Sequence, residues 1–280
     1  MIKFTKMHGT GNDYIYINNL ANEIKNPNKL AQEMSNRNYG VGADGLILIS
    51  KTPKADFKMN IYNPDGTEAE MCGNGIRCFA KYVFDHNLTQ KKSLKIETLA
   101  GVKNLDLEIK NNKVDFATIE MGEPILERSK IPMIGKKGKV MEESLHLDDG
   151  ANFSICALSM GNPHVVIFVE DVNNFPVQKY GPLIENHDLF PNKTNVEFVE
   201  IKNKKKLSQR TWERGAGETL SCGTGASAAT VAGFLTGKNE REVTVQLKGG
   251  ELQVKYQEKS NQVYLKGPAV EIFSGEWFKH

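Results

Sequence analysis

The stretch Asn63-Pro-Asp-Gly-Thr-Glu-Ala-Glu-Met-Cys-Gly-Asn-Gly-Ile-Arg-Cys-Phe-Ala80 has an echo in Glu213-Arg-Gly-Ala-Gly-Glu-Thr-Leu-Ser-Cys-Gly-Thr-Gly-Ala-Ser-Ala-Ala-Thr230. Each is a polar, Gly-rich loop that delivers a cysteine onto the first turn of an apolar helix, expected over 76–86 and 226–236. Cys72 aligns with Cys222 at an offset of 150 residues, and Gly73 and Gly75 align with Gly223 and Gly225. The same offset relates Gly11-Asn12 to Gly161-Asn162, 46–49 to 196–199, and 57–63 to 207–213. By Gly101 and Gly250 it has fallen to 149. A long constant offset with two copies means duplication of one unit rather than a solenoid of short repeats.

Working outward, each copy reads as short strands around one long helix. Alternation at Phe57, Met59 and Ile61 marks a half-buried strand. Further strands are expected at 4–7, 14–17, 46–49, 94–99, 102–109 and 114–119, with a short helix over 28–37. The second copy repeats the order, its short helix over 177–187 expected to be broken by Pro182. The helix after Cys222 is apolar all round, so it should be buried. The fold class expected is α/β (α+β): two pseudo-symmetric duplicated domains, each a strand-rich sheet or barrel wrapped around a central helix, with an active site in the interdomain cleft. The boundaries expected are 1–117, completed by about 265–280, and 118–264. Phe273, Trp277 and Phe278 are expected to cap the first unit.

Composition narrows the function. Lys and Arg number 36 against 34 Asp and Glu, a net charge of +2, so nothing favours nucleic acid or an anionic membrane. The lysine clusters at 136–139 and 204–206 read as solvated tips. No apolar run approaches the roughly 18 to 20 residues of a membrane span, and Met1-Ile-Lys-Phe-Thr-Lys-Met-His-Gly9 has no apolar signal core. A cytoplasmic protein with reduced thiols is expected. Cys72, Cys78, Cys156 and Cys222 form no Cys-x-x-Cys pair, so no metal site is expected. Cys156, on an alternating strand, and Cys78, matched by Ala228, read as packing residues.

A cysteine at a helix N-terminus has its thiolate stabilised by N–H groups that also bind anions. One such loop suits a nucleophile, a redox thiol or an anion site. Two related by duplication suit inversion at a carbon acid: one thiolate takes the α-proton, the other thiol returns a proton to the opposite face, and the substrate carboxylate lies at the helix N-termini. No cofactor is required. His164 and Glu213 stand where they could tune the thiols, and Arg214 could hold a second carboxylate.

Seven motifs in order, MHGTGNDYI at 7–15, GVGADGLIL at 40–48, NPDGTEAEMCGNGIRCFAKY at 63–82, SMGNPHVVIF at 159–168, GPLIENH at 181–187, TNVEFV at 194–199 and WERGAGETLSCGTGASAA at 212–229, resemble the diaminopimelate epimerase family over essentially the whole chain. The resemblance implies interconversion of LL- and meso-diaminopimelate without pyridoxal phosphate, on the route to lysine and peptidoglycan. By position it implies Cys72 and Cys222 as the catalytic pair and His164 and Glu213 as tuners of their pKa values. It implies substrate contacts from Asn12, Asn63, Asn162, Asn195, Glu213 and Arg214, and a carboxylate cradle from Gly73, Asn74, Gly223 and Thr224. Some relatives carry a substrate-touching Gln where this chain has Gly45, so that role is not carried over. A homodimer is also implied, with Phe273 near the contributing segment. The rivals are a proline or hydroxyproline racemase-type epimerase, a thiol redox protein, and an amino-acid-binding protein. Cys72 excludes relatives with an acid at that place, and the Cys72 to Arg77 spacing is one residue short for a thiol phosphatase loop.

Overall fold

A computed structural model describes residues 1–278. In chain order the elements are β1 (Ile2–Gly9), β2 (Asn12–Asn18), α1 (Pro27–Ser35), β3 (Leu46–Ser50), β4 (Phe57–Tyr62), β5 (Glu68–Ala69), α2 (Gly73–Asp85), β6 (Ser93–Thr98), β7 (Gly101–Lys110) and β8 (Lys113–Gly122). They continue as β9 (Val140–His146), β10 (Asn152–Ser159), β11 (Pro163–Phe168), α3 (Val177–Glu185), β12 (Asn195–Asn203), β13 (Lys206–Glu213), β14 (Gly217–Thr219), α4 (Gly223–Leu235), β15 (Glu242–Leu247), β16 (Gly250–Gln257), β17 (Gln262–Pro268) and β18 (Val270–Trp277). The chain forms two compact units, residues 1–119 with 266–280 and residues 120–265. No helix among the described residues is long and apolar enough to cross a membrane.

The duplication reappears as strand register. In unit 1, β2 runs parallel to β3 with Ile15 opposite Leu46, and β3 is antiparallel to β4 with Leu46 opposite Tyr62. In unit 2, Val165 lies opposite Val196 and Val196 opposite Trp212, the same pairs displaced by the sequence offset. The pairing of Phe57 with Ile96 returns as Leu207 with Val245. One partner has moved by one residue less, in keeping with the lost residue. Both ladders begin with a strand that the sequence reading missed. In unit 1, β18 pairs antiparallel with β1, and in unit 2, β9 pairs with β10.

Each long helix has strands around it. α2 packs on β1, β2, β3 and β7, and α4 on β10, β11, β12, β15 and β16. Ile76 and Phe79 of α2 are wholly buried, and each such side chain contributes about 1.5–3 kcal/mol over leaving it in water. On α4 every residue from Gly225 to Gly233 is buried, as its uniform apolar surface requires. The short helices close two separate cores. Leu30, Ala31 and Met34 of α1 join Phe4, Ile15 and Leu46, with Trp277 packed against them. Val177 and Ile184 of α3 join Val165, Ile167 and Phe198.

Three local readings are corrected. α2 and α4 begin at Gly73 and Gly223, so Cys72 and Cys222 are N-caps rather than first-turn residues. The Asn-Gly and Thr-Gly pairs after them are the second and third helical residues, and each thiol accepts from the amide of that glycine. α3 runs through Pro182. The proline removes one donor from a nine-residue helix, and the end beyond it is anchored because Glu185 accepts bonds from Trp212 and Gly215. Trp277 does pack against unit 1 and Phe273 meets Phe4 edge-on at 6.0 Å, but Phe278 is exposed. The 204–206 cluster sits at the β12–β13 hairpin, and Lys136, Lys137 and Lys139 are exposed in the loop before β9 that the antiparallel bridge of Glu127 with Lys139 closes.

Candidate functional site

In unit 1, Cys72 has the extended backbone of an N-cap (φ −136°, ψ 117°), and its Sγ accepts from the Gly75 amide at 3.3 Å. The thiol thus fills the place usually taken by a Ser or Asp oxygen. Gly73 and Asn74 follow at the first two helical positions, whose N–H groups point out of the helix. The thiol donates to Asn12 Oδ1 at 3.2 Å. Asn12 Nδ2 donates to Asp44 Oδ2 at 2.7 Å, which decides which end of the amide faces the sulfur. Asp44 is itself paired with Arg37 at 2.8 Å. Burial, then the neighbouring Cys72, pushes the Tyr14 phenol well above its ordinary pKa. The Asn74 side chain is buried and accepts from Arg77 Nη2 at 2.9 Å, so it faces the protein rather than a ligand. Asn63 closes the turn that opens the loop, donating to Thr67 Oγ1 at 3.0 Å.

In unit 2, Cys222 repeats the N-cap (φ −124°, ψ 110°) and accepts from the Gly225 amide at 3.4 Å. Its sulfur is 3.4 Å from Thr224 Oγ1, which accepts from Asn162 Nδ2 at 3.4 Å. Asn162 Oδ1 bonds His164 Nε2 at 3.0 Å, and His164 Nδ1 bonds Glu197 Oε1 at 2.8 Å. The other Glu197 oxygen accepts from Gln209 at 2.7 Å and Thr211 at 2.6 Å. His164 and Glu197 are both wholly buried. Burial pushes the Glu213 carboxyl up; a bond from Thr219 at 2.5 Å opposes the rise and the charge of Glu197 adds to it. Burial, then the carboxylates of Glu213 and Glu197, pushes the Cys222 thiol well above its ordinary value. Asn195 ties the chain together here, donating to Pro163 O at 2.8 Å and accepting from the Arg214 amide at 3.0 Å. Arg214 is exposed, with Nη1 on Asn192 O at 3.0 Å.

Comparison with known proteins decides the family. The family profile described as diaminopimelate epimerase matches residues 4–127 and 156–272. A diaminopimelate epimerase of Acetivibrio thermocellus is 50% identical over 275 residues, covering 98% of both chains. One of Methanococcus maripaludis is 49% identical over 275 residues, covering 98% of this chain and 99% of its own. The chain belongs to the diaminopimelate epimerase family. Solved structures of the same fold include a Bacillus anthracis phenazine biosynthesis protein of the PhzF family, with TM-score 0.70, 18% identity and 99% of each chain covered. They also include a hydroxyproline epimerase from Agrobacterium vitis with bound trans-4-hydroxy-L-proline, with TM-score 0.69, 14% identity, and 98% of this chain and 91% of that one covered.

Against the epimerase resemblance, the structure places Asn12, Gly73 and Asn74 around Cys72, and Asn162, His164, Glu213, Gly223 and Thr224 around Cys222. Asn63 sits at the loop entrance, and Asn195 and Arg214 are joined to each other. The sequence reading missed Asp44, Arg77, Glu185 and Glu197. Glu197 lies inside TNVEFV and Arg77 inside the Cys72 motif, but neither has a local signal that it is buried. Gly45 also gains a reason: a Cβ there would lie 2.5 Å from Tyr62 O and 2.9 Å from the Tyr14 ring.

Proposed function

We propose that this chain interconverts LL- and meso-diaminopimelate by a two-base reaction in which Cys72 and Cys222 exchange roles with direction. The observation that carries the reading is that each copy of the duplicated fold makes a cysteine the N-cap of its buried helix, with the sulfur on the N–H of the third helical residue. One sulfur, as thiolate, takes the α-proton. The carbanion pair left on the α-carbon is stabilised as its carboxylate gains negative charge among the outward N–H groups of Gly73, Asn74, Gly223 and Thr224. The other thiol gives its proton to the opposite face and is left as thiolate, so the centre inverts and the two sulfurs have exchanged protonation states. His164 and Glu213 adjust the proton affinity of Cys222, and Asn12, Asn63, Asn162, Asn195 and Arg214 orient the substrate.

The same reading includes a cytoplasmic homodimer. What supports an association surface is the run of exposed apolar side chains on β18, Val270, Ile272 and Phe273. Light scattering of the wild type and Ile272→Asp tests it; a wild-type monomer sinks it.

The deciding experiment follows α-proton exchange in deuterated water with reduced protein and no added cofactor, offering LL- and meso-diaminopimelate, proline and hydroxyproline. Inversion of diaminopimelate with deuterium incorporation, lost in Cys72→Ala and in Cys222→Ala by about a thousandfold or more, is expected. Exchange of proline or hydroxyproline alone moves the substrate assignment to the racemase class. Exchange of none removes the reading.

A further inference from the structure

The amide of Asn162 is turned the opposite way from that of Asn12, its counterpart at the offset of 150. Asn12 Nδ2 donates to the Asp44 carboxylate at 2.7 Å, so its oxygen is the end that meets Cys72, at 3.2 Å. Asn162 has its oxygen on His164 Nε2 at 3.0 Å and its Nδ2 on Thr224 Oγ1 at 3.4 Å. A hydroxyl can donate or accept, so Thr224 does not choose between the two ends. What turns Asn162 is the ring nitrogen it meets, and the hydrogen on that nitrogen depends on what lies on the far side of the ring.

Glu197 lies there. It stands directly opposite Thr211 across β12 and β13, and Gln209 is two residues along the same face of β13. Glu197 Oε1 is 2.8 Å from His164 Nδ1, and Oε2 accepts from Gln209 Nε2 at 2.7 Å and Thr211 Oγ1 at 2.6 Å. Gln209 Nε2 also donates to Thr211 Oγ1 at 2.9 Å, which leaves the Thr211 hydrogen for Glu197. Gln209 Oε1 has no partner among the described residues. That amide aims its donor end at Glu197 and leaves its acceptor end unmet, as suits a carboxylate that only accepts. The first turn of α4 favours the same anion: a Cβ on Gly225 would lie 2.5 Å from Glu197 Oε1. With Glu197 an acceptor, Nδ1 of His164 must donate, and with Asn162 Oδ1 on the other side Nε2 must donate as well. Both residues are wholly buried, and a buried ion pair is tolerated where its remaining polar atoms are bonded, as they are here. The other titratable groups at this place are Glu213 on β13, whose charge interacts with that of His164, and the Cys222 thiol at the start of α4; β10 sets Leu158 opposite His164.

Resting on the reading of Asn162 as a substrate contact, we propose that Glu197 is a positioning residue: it holds His164 as a donor from both ring nitrogens, and His164 holds Asn162 with its amide hydrogens turned toward the Cys222 loop. Asn162 then serves the site as a donor, fit for a carboxylate of the substrate, where Asn12 offers an acceptor. In unit 1 the places of Glu197 and His164 are taken by Ile47 and Tyr14, so the device belongs to unit 2 alone.

The test is nitrogen-15 NMR of the histidine rings in the reduced full-length protein, near neutral pH and without substrate, with His164 assigned by its loss in His164→Gln. In wild type both ring nitrogens of His164 should carry hydrogen. In Glu197→Gln the new amide turns its oxygen to Gln209 and Thr211 and its nitrogen to the ring, so Nδ1 should lose its hydrogen and Nε2 keep it. A bare ring nitrogen in wild type, or Glu197→Gln with both nitrogens still protonated, overturns the proposal. The KM for diaminopimelate should rise about tenfold or more in Glu197→Leu, as for the loss of one charge-assisted bond, and Glu197→Gln should recover most of it. A folded Glu197→Leu with KM unmoved also overturns the proposal. If Glu197→Leu does not fold, the spectra of wild type and Glu197→Gln decide alone. The spectra are taken without turnover, so a doubly protonated His164 in a protein that leaves diaminopimelate untouched removes the substrate reading only.

Discussion

Under the second glycine of the Cys72 loop lies a methyl group of Ile47; under the matching glycine of the Cys222 loop lies the carboxylate of Glu197. The backbones above them are alike. Both cysteines are extended N-caps, and both sulfurs accept from the third helical amide. The two copies therefore share a backbone device and differ in what is buried beneath it. Unit 1 carries a buried guanidinium bonded to the oxygens of Gly73, Asn74 and Pro268, and unit 2 a chain of bonded polar groups from Thr224 through Asn162 and His164 to Glu197, Gln209 and Thr211. A duplicated scaffold thus repeats its backbone while changing the side chains buried beneath it.

The comparison breaks most readily at Glu197. Glu197→Leu leaves His164, Gln209 and Thr211 buried without their common acceptor and should cost about 3–5 kcal/mol. Ile47→Leu, at the matching place, should cost less than about 1.5 kcal/mol. Urea unfolding of both variants measures the gap, and equal losses would mean the network contributes nothing special. Next come the glycines. Gly225→Ala drives a methyl into a carboxylate held by three hydrogen bonds, whereas Gly75→Ala meets the free end of an isoleucine. About 2–3 kcal/mol is expected for the first and about 1 kcal/mol for the second; the reverse order would contradict the difference in what lies beneath.

A smaller effect is set by acid. Burial pushes the Glu218 carboxyl of β14 up, but bonds from Arg210, Lys248 and Gln178 outweigh it and hold it at about 2, against an ordinary 4.5. A depressed carboxylate stabilises the fold above its unfolded value and loses that contribution as pH falls through its folded one. Wild type should therefore lose stability between pH 4.5 and about 2 more steeply than Glu218→Gln. Parallel curves in chemical denaturation over that window would remove the claim. The smallest difference concerns the short helices. Asn26 Oδ1 accepts from the Lys29 amide at 3.2 Å at the start of α1, while α3 begins at Pro176 with no side-chain cap. Asn26→Ala should cost about 1 kcal/mol, and no measurable loss in thermal unfolding would show that α1, like α3, does not depend on a side-chain cap.

The sequence by itself determined the duplication, the four helices and most of the strands in order, the cysteine at each helix start and the family. Those are local signals: an offset is counted along the chain, alternation is read within a few residues, and a Gly-rich loop before an apolar run declares a helix start. Helix limits were missed by about three residues at Cys72 and Cys222, because a thiol is not among the usual caps. Only the tertiary structure decided that β18 returns to β1 and that β9 opens the second ladder. Only there does Arg77, an ordinary charged residue in sequence, become wholly buried, and only there does Glu197 come beneath Gly225. Strand partners and burial are set by contacts between residues far apart in the chain, and the raised proton affinity of the Cys222 thiol follows from burial first.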